Sequence, residues 1–270
     1  MSWFSEWVTV VVCNKHRDLH NVKMFRKGDV VALPDLPSRT NDVGVTVYKN
    51  KVRAWLSGGR LECLQLDPFE ASPKWEKCTE LLPIVREAKV IQVLDDVWIF
   101  TDRTIHVVPQ TGNVSEIKWP HDRFHPAMCV QTNGISTIVI PIRSRHVYIN
   151  RDATSPQSWE QLATLPSGLI FNVCLLMESS LYVTGGNDQG PLYKESYVID
   201  IESGNVKRLG DLLSGKYDHA MMVINGAPAV ISGFYRGTTE VLDVATGTWR
   251  AGAISFGQIT DPAAVSLAIY

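Results

Sequence analysis

A bulky residue returns along this chain at nearly even spacing, and no other feature limits the possible folds so tightly. The stretch "VLDVATGTWRAG", Val241 to Gly252, shows the fullest form: an apolar run closing on Asp243, a Thr246-Gly247 turn, then Trp249. Trp75 in "LDPFEASPKWEKC" and Trp159 in "NRDATSPQSWEQL" hold the same place. Val30, Val114 and Val206 hold it in "MFRKGDVVAL", "VPQTGNVSEI" and "DIESGNVKRL". The anchors at 30, 75, 114, 159, 206 and 249 are thus 45, 39, 45, 47 and 43 residues apart.

Upstream of each anchor lie two short apolar runs joined by a tight turn, as in "MMVINGAPAVIS", "CVQTNGISTIVI", "VTVYKNKVRAWL" and "VIQVLDDVWIF". Asn225-Gly226 and Asn133-Gly134 are two-residue hairpin signals. About seven residues after most anchors a loop opens with Leu36-Pro37, Leu82-Pro83, Trp119-Pro120 or Leu165-Pro166. Each unit therefore reads as four short strands, a to d, with the anchor opening strand d and the tryptophans packing between neighbouring units. Four-stranded units at 40–50-residue spacing predict a β-propeller.

Six anchors predict six blades of one all-β domain spanning 1–270. Their bounds are 42–83, 88–120, 125–166, 170–213 and 218–256, with the first blade made of 7–34 plus 263–270. That first unit lacks an opening strand, since "WVTVVVC" matches strand b, while "DPAAVSLAIY" at Asp261 to Tyr270 resembles a strand a. The C-terminal strand is expected to pair into blade 1 and close the ring, which hides the sheet edges.

The repeat resembles the Kelch family, whose pattern is Gly-Gly after strand b, then a hydrophobic-Asp turn, Thr-Gly and Trp. "YVTGGNDQG" carries Gly185-Gly186 and "AWLSGGR" carries Gly58-Gly59, with Ser232-Gly233 in the last unit. The other three units carry Cys13-Asn14, Thr101-Asp102 and Pro141-Ile142 instead. The closure is similar to that of BTB–BACK–Kelch proteins. In those, the propeller captures a protein and the BTB–BACK part binds the cullin scaffold of a ubiquitin ligase. The resemblance implies a substrate-capturing module of a cullin-RING ubiquitin-ligase adaptor, with any BTB domain outside this sequence. A cytoskeletal, actin-binding module is the alternative.

With 26 Lys+Arg against 28 Asp+Glu, the net charge of −2 points to neither nucleic acid nor an anionic membrane. The longest apolar runs are far short of a membrane span, and no signal peptide is visible. Five scattered cysteines, Cys13, Cys63, Cys78, Cys129 and Cys174, are odd in number and form no CxxC pair. They are expected to be reduced core residues in a cytoplasmic, or also nuclear, setting.

Nine of the fourteen arginines fall in the segments predicted to form the b–c and d–a loops, which share one face. Arg60, Arg103, Arg143 and Arg145 lie in b–c loops near the channel, and Arg17 and Arg236 in others. Arg39, Arg86 and Arg123 lie in d–a loops, with Tyr217 and Tyr235 nearby. A planar guanidinium takes carboxylate or phosphate in a bidentate grip and stacks on aromatic rings. This face is therefore expected to bind an acidic or phosphorylated peptide of another protein, with no cofactor. Neighbouring acids such as Asp102 and Asp122 could neutralise part of it. A metal alternative joins Cys13, His16 and His20 of "CNKHRDLH" to His121 and His125 of "HDRFH". No "GxSxG" elbow is present, and no catalytic residue is assigned. A propeller enzyme, an oxidase or a sugar-acid epimerase, is the remaining class.

Overall fold

A computed structural model describes residues 6–15, 19–26, 29–37, 42–57, 61–78, 88–101, 103–110, 113–119, 129–141, 144–166, 172–186, 192–216, 219–231, 238–255 and 260–269. Every regular element among them is a β-strand, and no helix long and apolar enough to cross a membrane occurs among them. The strands form four-stranded antiparallel sheets, the blades of a β-propeller.

Five sheets use strands consecutive in the chain. The first of these holds β4 (Asp42–Tyr48), β5 (Lys51–Ser57), β6 (Glu62–Leu66) and β7 (Glu76–Lys77). The next holds β8 (Lys89–Val93), β9 (Asp96–Phe100), β10 (Thr104–Val108) and β11 (Ser115–Lys118). Then come β12 (Cys129–Thr132), β13 (Thr137–Ile140), β14 (His146–Asn150) and β15 (Glu160–Thr164). They are followed by β16 (Val173–Met177), β17 (Ser180–Thr184), β18 (Ser196–Asp200) and β19 (Val206–Arg208). The last has β20 (Ala220–Ile224), β21 (Ala227–Ile231), β22 (Thr238–Asp243) and β23 (Thr248–Ser255). One sheet is built differently: β24 (Thr260–Ile269) lies beside β1 (Glu6–Lys15), followed by β2 (Leu19–Arg26) and β3 (Asp29–Leu33). The β1–β24 register runs from Glu6↔Ile269 to Asn14↔Thr260, with a shift after Val12. In chain order of their main body, these are called sheets 1 to 6, sheet 1 being the one that contains β24.

The core lies between the sheets rather than within any one of them. Val10, Val22 and Met24 of sheet 1 pack with Val52, Leu64 and Leu66 of sheet 2. Trp55 and Cys63 of sheet 2 meet Val90, Val97 and Ile99 of sheet 3. Ile138 and Ile149 of sheet 4 meet Leu181, Val183 and Tyr197 of sheet 5. Phe25 of sheet 1 packs against Ala220, Met222 and Ile231 of sheet 6. Strands b and c are buried on both faces, as in "DVWIF" with Val97 to Phe100 all buried, so they read as continuous apolar runs.

The aspartate ahead of four of the six anchors has a local purpose. Asp243 accepts hydrogen bonds at Oδ1 from the Ala245 and Thr246 amides (3.1 and 3.2 Å), and its carbonyl accepts from Gly247 N at 2.8 Å. Asp200 does the same for Ser203 N and Oγ, both at 2.7 Å, with Gly204 N on its carbonyl. Asp152 holds Thr154, and Asp67 holds the Phe69 amide. A carboxylate that accepts these bonds favours its charged form, which keeps the Asp152 and Asp200 carboxyls below the usual range. The aspartate thus folds the c–d turn and delivers the anchor to strand d.

Two of the tryptophan anchors then hook across sheets by hydrogen bonds, while Trp159 Nε1 donates to the Pro156 carbonyl of its own turn at 2.7 Å. Trp75 Nε1 donates to the Pro34 carbonyl at 2.8 Å, just past sheet 1, and Trp249 Nε1 donates to Ser196 Oγ of sheet 5 at 2.9 Å. The valine anchors have no side-chain donor: Val30 and Val114 stay 38% and 39% exposed, while Val206 packs partly buried against the core between sheets 4 and 5. A further difference concerns Asn133-Gly134. Asn225 (φ 49°) and Gly226 (φ 76°) do form a two-residue turn between the paired Ile224 and Ala227. At Asn133, however, the side chain accepts from both Ile135 N and Ser136 N. Thr132 therefore pairs with Thr137 across a four-residue connection.

The cysteines depart from the expectation of scattered thiols. Cys63–Cys78 and Cys129–Cys174 are disulfides, with Cα–Cα distances of 5.3 and 5.9 Å. Cys129 and Cys174 are 45 residues apart, one repeat length, so the period places them in equivalent strands of adjacent sheets.

Candidate functional site

Because strands alternate in direction, the a–b and c–d turns gather at one end of every sheet. The b–c connections and the d–a links gather at the other, here called the loop face. Most of the arginines expected to act there lie outside the described residues: Arg17, Arg39, Arg60, Arg86, Arg123, Arg143 and Arg236, with Tyr217 and Tyr235. His16, His121 and His125 of the metal alternative also lie outside them. Cys13 and His20 sit in β1 and β2, where Cys13 pairs with Asn21 and Asn14 with His20. Among the described residues no group of three or more His, Cys, Asp or Glu could hold a metal ion.

Arg103 and Arg145 are described, and they occupy equivalent positions one sheet apart. Each is the last residue before strand c, preceding β10 and β14. Each offers its carbonyl to the first residue past strand d: Trp119 N donates to Arg103 O at 2.9 Å, and Leu165 N to Arg145 O at 2.7 Å. Both side chains are exposed. Arg145 Nε donates to the Leu165 carbonyl at 2.9 Å, which fixes the direction of the guanidinium. No carboxylate among the described residues pairs with Arg145.

Between sheets 5 and 6 the loop face is seated on a buried polar network that the sequence reading did not find. Glu240, in β22, is 4% exposed, and Lys216, in the link from sheet 5 to sheet 6, is 3% exposed. Lys216 Nζ lies 2.8 Å from Glu240 Oε1 and donates to Ser214 Oγ at 3.0 Å. Glu240 also accepts from Leu213 N (2.8 Å) and Ser214 Oγ (3.2 Å). One carboxylate of sheet 6 thereby holds three residues of the link, Leu213, Ser214 and Lys216. Burying two charges is costly unless they are paired and their other hydrogen bonds are satisfied, and both conditions hold here.

The Gly185-Gly186 pair completes this seat. Gly186 N donates to the Lys216 carbonyl, and Gly185 N to the Glu195 carbonyl, both at 3.0 Å. Gly185 has φ 62°, and a Cβ there would stand 2.7 Å from His219 Cε1 and 2.8 Å from Lys216 O. Only glycine fits the conformation and the close approach. His219 is fully enclosed, with Nε2 2.9 Å from Thr184 Oγ1 and no partner at Nδ1 among the described residues. Burial, reinforced by the Lys216 charge, pushes its pKa down to about 3, so the imidazole is neutral.

One signal for Glu240 was readable. It has the strand parity of Leu242, a core residue, and so was on a buried face of "TTEVLD". Lys216 and His219 carry no such mark. The chain matches no protein-family model and no curated protein.

Proposed function

We propose that this propeller is a protein-recognition module that takes an acidic or phosphorylated peptide on its loop face and has no catalysis of its own. The observation that carries the reading is the pair Arg103 and Arg145. They stand at the same point of adjacent sheets, both exposed, with Arg145 aimed by its bond to Leu165 and met by no described carboxylate. Two guanidiniums repeated across adjacent blades suit a ligand that carries acidic groups along its length. The network of Lys216 and Glu240 supports it by holding the link between sheets 5 and 6 in one arrangement, which lowers the ordering cost of binding.

The same reading takes the sheets as six blades of one ring shut by β24. The innermost strands touch in the cyclic order β24, β4, β8, β12, β16, β20 and back to β24, and β24 is paired along β1. Deleting residues 263–270 is then expected to leave an aggregating protein or to lower its melting temperature sharply. Unchanged solubility and melting would refute the closure.

In this reading the motif resemblance to Kelch propellers makes the module the capturing end of a cullin-RING ubiquitin-ligase adaptor in the cytoplasm. The test uses an array of acidic and phosphorylated peptides with lysine-substituted controls. Arg103→Glu with Arg145→Glu, at unchanged melting temperature, should weaken binding roughly tenfold or more. Binding by the unaltered protein should fall between about 50 and about 500 mM salt. Binding that ignores both changes would overturn the recognition reading. The adaptor role fails separately if a captured protein is ubiquitinated equally with the unaltered and the charge-reversed chain.

A further inference from the structure

We propose that the Cys129–Cys174 disulfide is a redox-operated lock between sheets 4 and 5. Cys129 is the first residue of β12 and Cys174 the second of β16, so both stand where the innermost strands begin, at the loop-face end. These two strands are in direct contact, and the Cα–Cα separation of 5.9 Å lies within the range a disulfide spans. The bond ties one sheet to the next, where among the described residues no strand pairing joins β12 to β16.

The surroundings accept either redox state. Cys129 and Cys174 are 5% and 2% exposed and lie among Ile138, Ile140, Leu181 and Val183. A free thiol behaves there as a small apolar side chain, so opening the bond leaves no buried charge and no missing partner. At that burial neither sulfur is open to an attacking thiol. Exchange therefore waits for the two sheets to part, and the lock responds slowly.

The second disulfide lacks this property. Cys63 lies in β6 and Cys78 just past β7 of the same sheet, and Cys78 N already donates to the Cys63 carbonyl at 3.0 Å. It fastens what the ladder holds.

Closing the lock removes two electrons and two protons from the thiols, and the oxidant is a small-molecule disulfide. One cysteine thiolate attacks it, forming a mixed disulfide and releasing one thiolate. The other cysteine then displaces the second thiol, so one external S–S bond is broken for the one made.

The experiment equilibrates the whole chain in glutathione buffers from fully reducing to oxidising. Differential alkylation with mass spectrometry reads the state of Cys129 and Cys174, and thermal melting is followed in parallel. The oxidised pair should raise the melting temperature by about 5–10 °C, as expected for a cross-link closing a loop of roughly this length. The rise should vanish in Cys129→Ser with Cys174→Ser and persist in Cys63→Ser with Cys78→Ser. If the serine pair does not fold, Cys129→Ala with Cys174→Val takes its place. Free thiols at 129 and 174 in every buffer, or equal melting of both states, would overturn the proposal.

Discussion

Sheets 3 and 4 meet through aromatic rings, whereas sheets 5 and 6 meet partly through charge. At the first junction Trp159 stands edge-on to Trp119, Phe100 and Trp98, with centroids 4.9, 6.3 and 6.4 Å away, and Tyr148 closes on Trp119 at 5.7 Å. At the second, Leu175, Leu212, Leu242 and Trp249 supply an apolar body, and Lys216, Glu240 and His219 sit beside it out of water. The two junctions join sheets of the same construction by different means. Ring packing tolerates small shifts because its attraction is spread over many weak contacts. A buried ion pair with directed bonds has one good arrangement and a steep loss outside it. The difference teaches that the polar junction is the one built to fix a loop in place.

That contrast can be broken most forcefully at Glu240. Glu240→Ala leaves the Lys216 ammonium buried and unpaired and is expected to cost about 3–5 kcal/mol in denaturant unfolding. Lys216→Met with Glu240→Leu should recover most of that, because no charge is then stranded. A loss from Glu240→Ala below about 1 kcal/mol would mean that the pair does not brace the junction.

Acid should sharpen the contrast at smaller scale. The His219 pKa is about 3 in the folded chain and near 6.5 when unfolded, so between these values the unfolded state binds more protons. Its contribution to stability is whole above pH 6.5 and is lost as the pH falls toward 3. The loss approaches about 1.4 kcal/mol per pH unit, or about 2 kcal/mol at pH 5. Urea midpoints at pH 7, 6 and 5 should therefore fall more steeply for the unaltered chain than for His219→Gln. Parallel slopes would show that the imidazole accepts a proton without strain.

The blades were legible because their signals are local. Asp243, Thr246-Gly247 and Trp249 lie within seven positions, and Asp243 folds the turn that delivers Trp249 to its partner in the next sheet. Asn225-Gly226 forms its turn for the same reason, whereas Asn133 does not, since its side chain found two amides and widened the connection. The polar seat was not legible. Lys216 and Glu240 are 24 residues apart in sequence; Lys216 alone reads as a solvated charge, and the strand parity that marks Glu240 names no partner. Cys129 and Cys174 were equally opaque, read as scattered reduced thiols although they stand one repeat length apart. Of the candidate site, the sequence reading picked out Arg103 and Arg145 individually, without the equivalence that makes them a pair.

The pairing of β1 with β24 has a mechanical consequence. Its register sets Glu6 opposite Ile269, so the two ends of the ladder that lie nearest the chain termini are side by side. Tension drawn through those two residues acts across the ladder instead of along it. The bonds are then loaded one rung after another, as in a zipper, and never all at once. Under such a load the β1–β24 ladder opens progressively, starting from its Glu6–Ile269 rung.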